Sequence, residues 1–207
     1  MSMKSAPVLL VIDVQNGFCT GGGLPVPDGE AVVPVINRLA AKFSQVVLTQ
    51  DWHPPGHASF ASAHPGRQPF ETITLPYGPQ VLWPDHCIQG TCDAALHPDL
   101  HIAHAQVLIR KGWRAGIDSY SAFMEADRST PTGLTGYLRE LEVRELVLCG
   151  LATDFCVAWS ALDARAAGFE VTVVEDACRA IDLNGSLDQA WAQMRAAGVR
   201  RAMSIAF

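Results

Sequence analysis

The sequence predicts a three-layer α/β sandwich, doubly wound around a mainly parallel sheet of about six strands. Three observations lead there. Short β-branched runs alternate with helical patterns along the 207 residues. Most of those runs are apolar throughout rather than alternating, as strands covered on both faces should be. The chain is also 49% hydrophobic with no compositional break, enough material for one packed core.

Taken in order, "VLLVIDV" is the first strand. It is too short to span a membrane, and Asp13 interrupts it where a secretory apolar core would continue, so a cytoplasmic protein is expected. A helix follows over Val32 to Phe43, and "QVVLTQD" is the second strand, ending at Asp51. The rhythm then stops: the segment 51–105 holds eight of the 13 prolines and all seven histidines. A regular crossover is excluded there, and a stretch this long is expected to be functional, a lid and metal-binding insert within a single domain 1–207. The alternation resumes with the strands "QVLIRKG", "ELVLCG", "EVTVVEDA" and "RRAMSIAF". Helices are expected over Thr132 to Leu141, Asp154 to Ala167 and Leu187 to Ala197, the last two closed by Gly168 and Gly198.

A net charge of −6 without a basic stripe argues against nucleic acid or an anionic membrane as partner, and favours a small, neutral or mildly polar ligand. Six cysteines without CxxC spacing or a secretion signal read as reduced thiols. Homo-oligomerisation is left open.

Ligand sites in open α/β sheets form beyond the carboxyl ends of the strands. At those ends stand Asp13, Asp51 and Lys111, with Cys156 one turn into the next helix. Each alone would be a cap or a surface charge; together they converge on one crevice. At the start of a helix opened by Thr153 and Asp154, unpaired N–H groups and about half a positive charge favour a Cys156 thiolate. Cys149 and Cys178 read instead as small buried hydrophobes. With every histidine inside the insert, Asp13 is the more available base, and Lys111 can orient and counterbalance its carboxylate. A Cys156–Asp13–Lys111 catalytic triad follows.

Within "QDWHPPGH", Asp51 and His53 are two residues apart and point the same way in an extended segment, and "WPDHC" offers His86 as a third ligand. Two imidazoles and a carboxylate suit zinc, iron or manganese, with coordination positions left open. His57 is the one further candidate. "TGGGLPV" leads into prolines rather than a helix, so it reads as a flexible active-site loop and not a phosphate cradle. Trp52, Trp113, Trp159 and Trp191 are assigned to packing, whereas Phe18 and Trp83 are candidate walls of an aromatic pocket.

The motifs "VIDVQNGFC", "TQDWHPPGHASFAS", "LWPDHCIQGT", "IRKGWRAGIDSYSAF" and "GLATDFCV" resemble those of the nicotinamidase/pyrazinamidase family of isochorismatase-like cysteine hydrolases, nearly end to end. The resemblance implies the isochorismatase-like fold, Asp13, Lys111 and Cys156 as triad, Asp51, His53 and His86 around one divalent ion (zinc first, iron or manganese as alternatives), Phe18 and Trp83 as pocket walls, and a cis peptide before Ala152. It implies hydrolysis of nicotinamide to nicotinate and ammonia through a thioester, acceptance of pyrazinamide, backbone N–H groups of Ala152 and Cys156 as oxyanion hole, and a metal that binds the pyridine nitrogen. At Phe155, many members have histidine. Two rivals stand beside this: a related hydrolase of another small amide or carbamoyl substrate, whose members usually lack the Asp51, His53, His86 set, and a zinc-stabilised binding or redox-sensing module, which would need a fourth protein ligand and a resolving thiol.

Overall fold

Five consecutive buried apolar residues, Val8–Ile12, form strand β1, and the chain is built outward from it on both sides. A computed structural model describes residues 6–207. The sheet has six parallel strands in the order β5-β2-β1-β6-β7-β8: β2 Val46–Asp51, β5 Val107–Lys111, β6 Glu145–Leu151, β7 Glu170–Arg179 and β8 Arg200–Ala202. The chain moves from β1 out to β2 and β5, then returns to the other side of β1 as β6. The strand order therefore reverses beside β1, which places a crevice beyond the carboxyl ends of β1 and its neighbours.

Helices α1 (Val32–Ala40), α2 (Leu134–Glu140), α3 (Ala158–Ala166) and α4 (Ser186–Ala196) lie between the strands. Both α1 and α3 pack on β7, and α3 packs on α4. Val171, Thr172, Val173 and Val174 of β7 are all buried, which requires cover on both faces of the sheet. The edge strand β5 alternates instead, with Leu108 exposed, because one of its sides has no neighbour.

Three expectations change. The final strand is only Arg200–Ala202, and Ser204–Ala206 turn in a short 3-10 helix. The helix expected over Asp154 to Ala167 is two pieces, a π-helical turn Thr153–Val157 and then α3. Segment 51–105 contains an antiparallel hairpin, β3 Thr72–Leu75 with β4 Gly78–Val81, that its prolines concealed. After β4 the chain returns to the site: Trp83 N donates to Ser59 O and Ala61 N to Trp83 O.

Close approach at the crevice is set by Gly150. Its φ is +119°, and a Cβ there would lie 2.0 Å from the Ile12 carbonyl oxygen, so only glycine lets β6 run this near β1. The Leu151–Ala152 peptide that follows is cis, as the resemblance implies. Among the described residues no helix is long and apolar enough to cross a membrane.

Candidate active site

Strand register assembles the charged centre. Asp51 and Lys111 are direct partners across β2 and β5, and Asp13 follows β1 next door. Cys156 comes from the turn after β6, on the far side of β1. Asp13 adopts φ +48°, a left-handed conformation that aspartate tolerates. Its N–H donates to Thr49 Oγ1 (3.1 Å), and that hydroxyl donates back to Asp13 Oδ1 (2.6 Å). Thr49 of the neighbouring strand thus holds both the Asp13 backbone and one oxygen of its carboxylate.

Lys111 sits at the middle of the set, fully buried. Its Nζ lies 2.8 Å from Asp13 Oδ2, 2.5 Å from Asp51 Oδ1, 3.4 Å from Cys156 Sγ and 2.9 Å from Ser119 O. The Asp13 contact is an ion pair, and Oδ2 is the carboxylate oxygen that Thr49 leaves open to a proton. Burial alone would lower the Lys111 pKa, but Asp13 and Asp51 outweigh it and hold the ammonium form. Burial raises Asp13, against the pull of Lys111. For Asp51 burial acts the same way, yet Lys111 and His53 prevail and keep it ionised.

At Cys156 the helix terminus is not the only influence on the thiol. Burial pushes the thiol well above its ordinary value; Lys111 opposes this and Asp13 adds to it. Nor does Asp154 cap the helix. No side chain caps the turn, and the Asp154 carboxylate instead accepts from Ile181 N (3.1 Å), Asp182 N (2.8 Å) and Ser186 Oγ (2.5 Å). Cys156 at rest is a thiol beside a base. The amides flanking it, Phe155 and Val157, both donate to Ala152 O.

Asp51 turns its second oxygen to the imidazoles: Oδ2 is 3.6 Å from His53 Nε2 and 3.9 Å from His86 Nε2. The far nitrogens face backbone carbonyls, His53 Nδ1 at 3.0 Å from Gly112 O and His86 Nδ1 at 2.8 Å from Pro84 O. Those carbonyls accept, so each Nδ1 carries a hydrogen and each Nε2 is turned toward Asp51. Gly112, at φ +66°, allows this: a Cβ there would lie 2.5 Å from the His53 ring. Burial lowers His86 to about 4, keeping it neutral, while at His53 the attraction of Asp51 outweighs burial and raises the pKa. The three donor atoms lie close enough together to hold a single ion, and the donor set fits a divalent metal. His57 packs against His53, ring centroids 4.4 Å apart, with its Nε2 donating to Arg114 O (2.9 Å) and its Nδ1 3.2 Å from Ser59 N and 2.8 Å from Ser59 Oγ. With both ring nitrogens engaged, it joins the Asp51 set only by giving up these bonds.

Between the two groups lies a cavity of about 20 Å³, bordered by both Phe18 and Trp83 and by Asp51, His86, Ala152 and Cys156. Sequence reasoning missed its other walls, Leu24, Asp118, Tyr120 and Ile181; "GIDSYSAF" and Phe155 stood out without an assigned place. Trp52, Trp113 and Trp191 hold arginine side chains over their rings, and Trp159 packs on Tyr120, all away from this cavity.

A sheet of this topology with such a crevice defines a class, and the chain belongs to it: the family profile described as "Isochorismatase domain" matches residues 7–204. The nicotinamidase of Acinetobacter baylyi is 59% identical over 206 residues, covering 99% of this chain and 96% of that protein. Among solved structures, the Acinetobacter baumanii nicotinamidase/pyrazinamidase superposes with a TM-score of 0.97 at 60% identity, covering 99% of both chains. An L. infantum homologue solved in complex with nicotinate gives 0.85 at 38% identity, covering 100% of this chain and 98% of that one. The pyrazinamidase of Pyrococcus horikoshii, solved in complex with zinc, gives 0.77 at 33%, covering 96% and 99%.

Proposed function

We propose that this chain hydrolyses nicotinamide to nicotinate and ammonia, with Cys156 as nucleophile, Asp13 as proton carrier and Lys111 as the cation that holds them together. The observation that carries this reading is the position of the Lys111 ammonium, at once against Asp13, Asp51 and Cys156 Sγ. Lys111 fixes the base beside the thiol and ties that pair to the Asp51–His53–His86 set. The nicotinate bound to the L. infantum homologue and the activity named for both Acinetobacter proteins support the substrate.

Asp13 Oδ2 takes the thiol proton, and Cys156 Sγ attacks the carboxamide carbon. The tetrahedral oxyanion is held by the N–H groups of Ala152 and Cys156, each donor being worth about 3 kcal/mol in the transition state. Asp13 returns its proton to the departing ammonia, leaving a thioester; it then deprotonates a water that attacks the acyl carbon, and the thiol is reprotonated as nicotinate leaves. Lys111 stays charged throughout, so the two negative charges present at each stage always share a cation. Asp51, His53 and His86 would hold one divalent ion, zinc first with iron or manganese as alternatives, as the zinc in the Pyrococcus relative supports. When bound, such an ion supplies a coordination position for the ring nitrogen, which orients nicotinamide or pyrazinamide. Segment 51–105 serves within one domain as the insert that brings His53, His86 and Trp83 to the crevice, and the enzyme works in the cytoplasm.

A cavity of about 20 Å³ has room for roughly one water. A pyridine ring enters only after Phe18, Leu24, Phe155 or Ile181, apolar side chains without hydrogen bonds, swing aside. Ammonia release from nicotinamide and from benzamide tests the reading: rapid release from nicotinamide and little from benzamide is expected. No release from nicotinamide, with turnover of a carbamoyl substrate, would move the chain to the related hydrolases.

A further inference from the structure

Behind the aromatic wall runs a chain of buried polar groups that the proposed reaction does not use. Trp83 Nε1 donates to the Tyr120 hydroxyl at 2.9 Å. Gln80 Nε2 lies 2.6 Å from Asp118 Oδ2, 2.7 Å from Val81 O and 3.1 Å from the same Tyr120 oxygen, so its two hydrogens are shared among three acceptors. Burial first, and then the Asp118 carboxylate, keep the Tyr120 hydroxyl protonated. Tyr77 donates its hydroxyl to Gln80 Oε1 at 2.9 Å, which sets the Gln80 amide with its nitrogen toward Tyr120. Asp118 Oδ1 accepts from Ser119 N at 2.8 Å, and Ser119 O accepts from Lys111. Gln80 and Asp118 are only 2% and 3% exposed. A buried indole N–H needs one acceptor. Here that acceptor is itself held by Gln80, carried on the hairpin strand β4, and Gln80 in turn by Asp118.

We infer that Gln80 and Asp118 are positioning residues for substrate: acting on the Tyr120 hydroxyl, they lock the Trp83 indole in the pocket wall at the angle the substrate ring meets. Trp83, Tyr120 and Asp118 all border the cavity, and Phe155 closes on the locked pair, 4.9 Å from Trp83 at 90° and 5.8 Å from Tyr120. The wall thus has a fixed side, Trp83 and Tyr120, and a movable side, Phe155. A ring meeting a prepared wall loses less freedom on binding, so the clamp acts on affinity. None of its hydrogen bonds reaches Cys156, so it is expected to leave the chemical steps alone. The role in binding rests on the amidase reading; the geometry of the clamp does not.

The test uses the metal-loaded, full-length enzyme and the variants Tyr120→Phe and Gln80→Met, with kcat and KM for nicotinamide measured by ammonia release. The Trp83 indole N–H signal, assigned by its loss in Trp83→Phe, is followed by NMR in the unliganded proteins. KM is expected to rise about tenfold in both variants with kcat within about twofold, the scale of one net hydrogen bond. The indole signal should shift and exchange faster in Tyr120→Phe. An unmoved indole signal, or a moved signal with unchanged KM, or a loss confined to kcat, overturns the clamp. A wild-type enzyme inert toward nicotinamide overturns the amidase reading instead, and the indole signal then still decides whether the clamp exists.

Discussion

The charged centre and the aromatic wall of the crevice are positioned by different means. Asp13, Asp51 and Lys111 stand at the ends of adjacent strands, and Cys156 on the turn that follows the next one, so register alone aligns them. Trp83, Tyr120 and Phe155 come from three separate segments, two of them irregular, and are aligned by ring contacts and by the hydroxyl of Tyr120. Changes at the centre should therefore abolish chemistry or stability, while changes at the wall should weaken binding and leave both largely intact.

The largest effect is expected at the sulfur. Cys156→Ala should remove at least about a 10⁴-fold of turnover with metal content and thermal unfolding unchanged, and hydroxylamine should divert the wild-type acyl group into a hydroxamate. Retained activity in the alanine variant would point to a metal-activated water in place of the thioester. Lys111→Met leaves two buried carboxylates facing each other without a cation. A loss of about 3–5 kcal/mol in denaturant unfolding is expected together with loss of activity; wild-type stability would mean the cation does not organise the centre.

At the metal set, His53→Ala or His86→Ala should each drop bound metal well below one equivalent by elemental analysis, since two remaining donors hold a divalent ion poorly. Full occupancy in both variants would remove this ligand assignment. The smallest effect is expected where the two regions join. Asp154→Ala frees the amides of Ile181 and Asp182 and the Ser186 hydroxyl. About 1–3 kcal/mol of stability should go, with a rise in KM because Ile181 borders the cavity.

What was legible in the sequence follows the same division. Apolar runs announced β1, β2, β5 and β6, and because a strand has a definite end, Asp13, Asp51 and Lys111 could be assigned to one edge from sequence alone. The Asp51–His53 spacing did the same for two donors. Hairpin β3–β4 stayed hidden because Pro79 and the half-exposed alternation of Thr72–Leu75 carry little strand signal. Gln80, Asp118 and Tyr120 were invisible for a related reason: their positions express hydrogen bonds across 37 to 40 residues of chain, which no local pattern records. At Cys156 the sequence offered only the helix terminus, whereas burial and the two nearby carboxylates also act on the thiol and raise it.

The most direct test of a nucleophile and a metal set acting on one ring replaces the amide by an aldehyde. Pyridine-3-carbaldehyde offers Cys156 an electrophilic carbon for a reversible thiohemiacetal and the ion held by Asp51, His53 and His86 a ring nitrogen; benzaldehyde offers only the carbon. In the metal-loaded enzyme the pyridine aldehyde should inhibit at least about a hundredfold more strongly, and chelation should erase most of that gap. Equal inhibition by the two aldehydes would contradict the shared site, because the ring nitrogen would then have no partner in the protein.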